Sequence, residues 1–172
     1  MEATLVRVLR AAAAQMGPTQ KADSREHMLA RMLKQLEEAA SGGASLVVFP
    51  ELAFTTFFPR WLLEGEMLDQ YFERGMPNPA VQALFDRAHA LRVGFYVGYA
   101  ELMPDGRRHN CAILVDRDGD ILGRYRKVHL PGSIEPRPGA RYQQLEKSAI
   151  SNMSTSAFPP PAQGRGDTQS WA

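Results

Sequence analysis

An α/β fold with parallel strands joined by a crossover helix is predicted by three observations. Residues 46–49, Leu-Val-Val-Phe, form a continuous apolar run of strand length that Pro50 closes. Ahead of it, Met28, Leu29, Met32, Leu33 and Leu36 recur at the spacing of one helical face. Ahead of that, residues 6–15 begin with Val6 and Val8 and pass into small alanines suited to the centre of a sheet. Strand, helix, strand in that order is the signature of parallel pairing through a crossover.

Each element has its own justification. Alanine alone favours helix as readily as strand, so the strand over 6–15 rests on Val6 and Val8. Asp23 with Glu26 three residues later matches a capping box, and the helix it opens ends near Ala40, where Gly42 and Gly43 supply the stop. The unbroken apolar run at 46–49 argues for a strand covered on both faces. Residues 61–71 interleave acids with apolar residues and read as a short helix across a pocket rim. Asn78 and Pro79 form an N-cap and first-turn pair for a second helix whose face is Val81, Leu84, Phe85, Ala88 and Leu91. Residues 93–102 are rich in aromatic and β-branched types and read as a strand. Strands at 111–115 and 121–125 follow, joined by Arg117-Asp118-Gly119-Asp120, an Asp-Gly hairpin turn. Beyond Lys127 a loop carries Pro131, Pro136 and Pro138. The division is therefore a domain over 1–147 and a tail over 148–172, which has no apolar period, holds three consecutive prolines and is expected to be disordered.

The 172 residues, 44% of them hydrophobic, suffice for one core and about one domain. A net charge of +1 leaves no electrostatic footprint for nucleic acid and no polybasic membrane patch, so a small polar molecule is the expected partner. Cys111 is the only cysteine, which excludes an internal disulfide framework and a multi-cysteine zinc site and fits a reducing, cytoplasmic setting. No apolar run approaches the roughly 18 residues of a membrane span. Arg7 and Arg10 interrupt the apolar N-terminus and make it a poor signal peptide.

Three side chains are candidates for chemistry. Glu51 stands at a strand's C-terminal end, where open α/β sheets place their sites, and Thr-Thr-Phe-Phe-Pro-Arg-Trp after it can wall a pocket. Taken alone, it reads more readily as a carboxylate that has simply reached solvent. Lys127 ends the run Arg124-Tyr125-Arg126-Lys127, whose ordinary meaning is a solvated basic strand end. Glu146 ordinarily reads as a surface acid, and His129 as a hydrogen-bonding structural residue.

In this order, however, the opening strand ending in Ala-Gln15, the strand-Pro50-Glu51 signature and the run Tyr125-Arg126-Lys127-Val128-His129-Leu130 resemble the nitrilase superfamily of carbon-nitrogen hydrolases. The stretches PELAFTTFFPRW, GYAEL, ILVDRDGDILGRYRK and KVHLPG are similar to its N-carbamoyl-D-amino acid amidohydrolase branch. The resemblance implies an αββα sandwich, of which this chain holds only the first part. It also implies Glu51 as general base, Lys127 as oxyanion stabiliser, Glu146 as auxiliary acid and His129 near the substrate, with no metal or organic cofactor. Gln144 stands where that branch has histidine, and residues 134–141 depart from its usual loop, which leaves other amide substrates open.

The cysteine nucleophile that the family carries downstream of the second glutamate has no counterpart here, and Cys111, inside a strand, reads as a core thiol. A shifted reading frame explains the tail: rebuilding codons across the boundaries of 148–159 permits RYFEHVDLGFP, the kind of segment the family continues with. The resemblance thus implies a truncated, inactive hydrolase. The competing readings are a non-catalytic remnant that associates with itself or a full-length homologue, and an amidase of other specificity.

Overall fold

The computed structural model describes residues 8–139 and 144–150. They form a five-stranded mixed sheet whose spatial order is also its chain order. β1 (Ala11–Ala13), β2 (Leu46–Val48) and β3 (Gly94–Leu102) are parallel, while β4 (Arg108–Val115) and β5 (Ile121–Arg126) continue antiparallel as a meander. α1 (Arg25–Ser41) makes the first crossover. A 3-10 turn at Phe58–Arg60, the short α2 (Gly65–Asp69) and then α3 (Gln82–Leu91) make the second. A one-turn helix, α4 (Glu146–Ala149), closes the described chain.

Period-2 alternation divides the sheet into two faces. On one, Val47, Phe95, Val97, Ile113 and Val115 are buried against Met28, Met32 and Leu36 of α1 and Leu84, Phe85 and Ala88 of α3. Each large side chain so buried stabilises the fold by about 1.5–3 kcal/mol. A second apolar cluster joins Leu52, Phe58, Leu68, Phe72, Ala100 and Leu102 to Ala149 and Ile150 of the α4 segment. There the Phe58 ring stacks on Tyr71 with centroids 5.0 Å apart.

Several boundaries differ from the sequence reading. β1 spans three residues rather than 6–15, because its partner β2 offers only Leu46–Val48 to pair with; Val8 and Leu9 are exposed, and Val6 lies outside the described residues. Ser24, not Asp23, caps α1, its hydroxyl accepting the His27 N–H at 3.2 Å, while Asp23 accepts from the Gln20 N–H. α3 begins at Gln82 rather than behind Asn78, whose side-chain oxygen instead accepts the Ala80 N–H at 2.9 Å in a turn preceding the helix. β2 is not covered on both faces: Val47 is fully buried, but Val48 is 38% exposed, because the second cluster covers that side of the sheet at Ala100 and Leu102 of β3 and not at Val48. Of the expected tail over 148–172, Ala149 and Ile150 are buried in the second cluster, and residues 151–172 lie outside the described residues. Among the described residues no helix is long and apolar enough to cross a membrane.

Candidate active site

Glu51 owes its place to a turn resting on bare backbone. The Phe49 N–H donates to the Tyr96 carbonyl at 2.8 Å, the Pro50 carbonyl accepts the Gly98 N–H at 3.3 Å, and the Ala53 N–H returns to the Gly98 carbonyl at 2.9 Å. Leu52, next to Glu51, is left-handed at φ +50°, a conformation that a side chain other than glycine's adopts at a cost. Gly98 lets the turn settle on β3, for a Cβ there would stand 2.7 Å from the Glu51 Cα and 3.0 Å from the Pro50 carbonyl oxygen.

Lys127 is aimed by the alternation of β5. Arg124 and Arg126 point to the helix-covered face, where both pair with buried Glu101, Arg126 Nε at 2.8 Å. One residue further, Lys127 takes the opposite face, its N–H donating to the Asn110 carbonyl at 2.8 Å. Along β4 the same alternation sends Cys111 to the helix face and Asn110 to the open one. Glu146 arrives from far along the chain on α4. That helix is docked by the Leu145 N–H on the Pro59 carbonyl (2.6 Å) and by the Ser133 N–H on the Gln144 carbonyl (2.9 Å).

These three placements converge. Lys127 Nζ lies 2.5 Å from Glu51 Oε1 and 3.0 Å from Glu146 Oε1. Glu146 is completely buried, whereas the Glu51 side chain is 44% exposed and borders two hollows. One, of about 100 Å³, is shared with Tyr96, Gly98, Asn110, Tyr125 and Lys127. The other, of about 320 Å³, lies between the loops after β1 and β2, with Thr19, Thr56 and Arg60 on its lining. Burial works against the Lys127 charge, but the hydrogen bonds and charges of Glu51 and Glu146 outweigh it and hold the ammonium above the ordinary lysine value. Desolvation, then the charges of Tyr125 and Glu51, pushes the Tyr96 phenol up. The arrangement presents an exposed carboxylate able to take a proton, beside a fixed cation able to face a developing oxyanion.

Of the residues singled out from sequence, Glu51, Lys127 and Glu146 meet, and His129 stands apart, exposed in the loop after β5. The sequence reading missed Asn110. Its Nδ2 donates to Glu51 Oε1 at 2.6 Å and to Glu146 Oε1 at 2.7 Å. The only available signal was a buried-strand position carrying a polar amide. Cys111 is buried on the far face, its Sγ 3.4 Å from Glu101 Oε2. Desolvation and then Glu101 push its thiol well above the ordinary cysteine value, the opposite of what a nucleophile needs. Among the described residues no group of three or more His, Cys, Asp or Glu is arranged to hold a metal ion.

Comparison with known proteins gives consistent results. The carbon-nitrogen hydrolase sequence profile matches residues 10–163. A citrullinase from Francisella tularensis is 28% identical over 116 residues, covering 65% of this chain and 38% of the relative. An N-carbamoylputrescine amidase from Oryza sativa is 31% identical over 99 residues, covering 56% of this chain and 31% of the relative. A carbon-nitrogen hydrolase structure from Helicobacter pylori superposes with a TM-score of 0.66 at 23% identity, over 86% of this chain and 45% of that one. The chain thus spans less than half the length of these relatives.

Proposed function

Because the chain belongs to the carbon-nitrogen hydrolase family, we propose that Glu51, Lys127 and Glu146 form the acid–base and oxyanion part of a thiol-dependent site of the N-carbamoyl-D-amino acid amidohydrolase type. The observation that carries this is the convergence of the Glu51 and Glu146 carboxylates within 3.0 Å of the Lys127 ammonium. In this reading Glu51 takes a thiol proton and the thiolate adds to the carbamoyl carbon. The carbonyl electron pair moves onto oxygen facing Lys127, a donor whose loss in comparable sites costs roughly 3–4 kcal/mol. Collapse expels one carbamoyl nitrogen with the proton Glu51 had taken and leaves a thiocarbamate on sulfur. Water deprotonated by Glu51 then cleaves its C–S bond, that proton returns to the sulfur, and the carbamic acid set free decomposes to carbon dioxide and the remaining nitrogen product. The sum is N-carbamoyl-D-amino acid plus water giving D-amino acid, carbon dioxide and ammonia. His129, exposed in the loop after β5, is assigned to substrate contact by the resemblance, and no metal or organic cofactor is required.

The D-carbamoyl substrate rests on PELAFTTFFPRW and KVHLPG and is supported by the similarity to an enzyme named for an N-carbamoyl substrate. Gln144, and the loop around it, keep other amides as the alternative. The thiol is the part not found here, since Cys111 faces away and is held protonated. With no thiol on that face among these residues, we expect the 172 residues alone to release no ammonia from N-carbamoyl-D-amino acids. Turnover clearly above a Glu51→Ala control would overturn that expectation.

The uncovered sheet face favours a second reading, in which the chain associates with itself or with a full-length homologue. Val48 is exposed there, and Leu46, Tyr96 and Leu114 are half-buried. Apolar area of this kind is a mark of association.

A further inference from the structure

We infer that Asn110 is the positioning residue of this site: its side-chain amide bridges the two carboxylates and holds both of them on Lys127. The inference rests on the reading of Glu51, Lys127 and Glu146 as one site, and it concerns a residue that no motif singles out.

The cluster carries two carboxylates and one ammonium, so the cation alone leaves an excess negative charge in a part-buried place. Like charges so close repel, and the pair needs a second donor to stay together. Asn110 is that donor. Glu51 Oε1 accepts from Lys127 Nζ at 2.5 Å and from Asn110 Nδ2 at 2.6 Å. Glu146 Oε1 accepts from the same two nitrogens at 3.0 and 2.7 Å. Two donors and two acceptor oxygens thus close a ring of four hydrogen bonds, and one oxygen of Glu51 stays outside it.

The amide nitrogen, not the oxygen, must face the ring, because both partners are acceptors when ionised. Asn110 is 4% exposed, so an unpaired amide there would be costly, and both of its N–H bonds are used. Its main chain serves the same end: the Asn110 carbonyl receives the Lys127 N–H at 2.8 Å. One residue on an interior strand therefore fixes the cation through its backbone and both anions through its side chain. Rigid elements of this kind hold catalytic geometry better than loops.

The test is the titration of Lys127 in the full 172-residue chain, read by NMR at its own Cε and Nζ so that Tyr96 and Tyr125, which border the hollow, do not enter. Asn110→Ala frees the carboxylates to drift away and lowers the proton affinity of Lys127 at least threefold. Asn110→Asp keeps the shape, removes both donors and adds a charge, so it raises that affinity while the carboxylates separate. Opposite shifts, unrelated to changes in melting temperature, support the inference. Shifts of the same sign that follow stability, or none, overturn it. Should the alanine variant not fold, a Lys127 affinity in the isosteric aspartate variant equal to or below that of the parent overturns it equally. Turnover is not the readout: opposite shifts in a chain without hydrolysis leave the positioning intact and remove the hydrolytic reading, whereas hydrolysis with unmoved Lys127 does the reverse.

Discussion

Gly98 and Lys127 each fail in their own way when changed. A methyl group at 98 would sit 2.7 Å from the Glu51 Cα and 3.1 Å from the Leu52 nitrogen, both backbone atoms that cannot swing aside. Gly98→Ala should therefore cost about 1–3 kcal/mol in urea unfolding, as overpacking does, and let Lys127 titrate nearer the ordinary lysine value as Glu51 withdraws. Lys127→Ala acts differently, because Glu146 is wholly buried and would keep its charge without its cation. Removing one partner of such a pair costs on the order of 3 kcal/mol, so this variant should be the less stable of the two by chemical denaturation. Repeating the measurement in Lys127→Ala/Glu146→Gln, which removes the stranded charge, should recover most of the loss.

Among the elements, the β4–β5 hairpin depends on one carboxylate. Asp116 accepts the backbone N–H groups of Asp118 and Asp120, each at 2.9 Å, and so closes the turn in which Gly119 takes φ +87°. Asp116→Ala should cost about 1.5–3 kcal/mol by thermal melting, the worth of hydrogen bonds to a charged group. The hairpin was legible in the sequence because Asp118-Gly119 announces it locally, and so were the ends of β2 and β5, marked by Pro50 and by the alternating basic run. What was not legible depended on distance along the chain. Asn110 bridges acceptors 59 and 36 residues away, and a polar residue in a strand says nothing of what it will meet. Asn78 was misread because a turn and a helix cap call for the same side-chain oxygen. The apolar run at 46–49 told that a strand is buried but not that only one of its faces has a layer over it.

For the molecule as a whole, the open face and the buried charges set the solution behaviour. Val48→Lys with Leu114→Lys should shift the chain toward monomer in size-exclusion chromatography if that face mediates association, and leave the elution unchanged if it does not. Acid should weaken the fold in two windows. His109, the buried one among four histidines, is held below the ordinary histidine value first by desolvation and then by Arg126. Below about pH 6.5 the unfolded chain takes up a proton that the folded chain refuses, so stability falls with pH there, and His109→Gln should flatten that part of the melting curve. Glu101 is raised by its own burial but drawn lower overall by Arg124 and Arg126. Its contribution is complete above the ordinary carboxylate value and is lost as pH falls through its lower folded one, a second and more acidic step.

The lone thiol of the chain, locked in an interior strand on the face away from Glu51, is a natural clock for the sheet. An alkylating reagent can reach it only when neighbouring strands part, so the labelling rate counts openings rather than surface collisions. Read in the presence of a candidate substrate, slower labelling would reveal a bound molecule bracing the strands even in a chain that performs no chemistry on it.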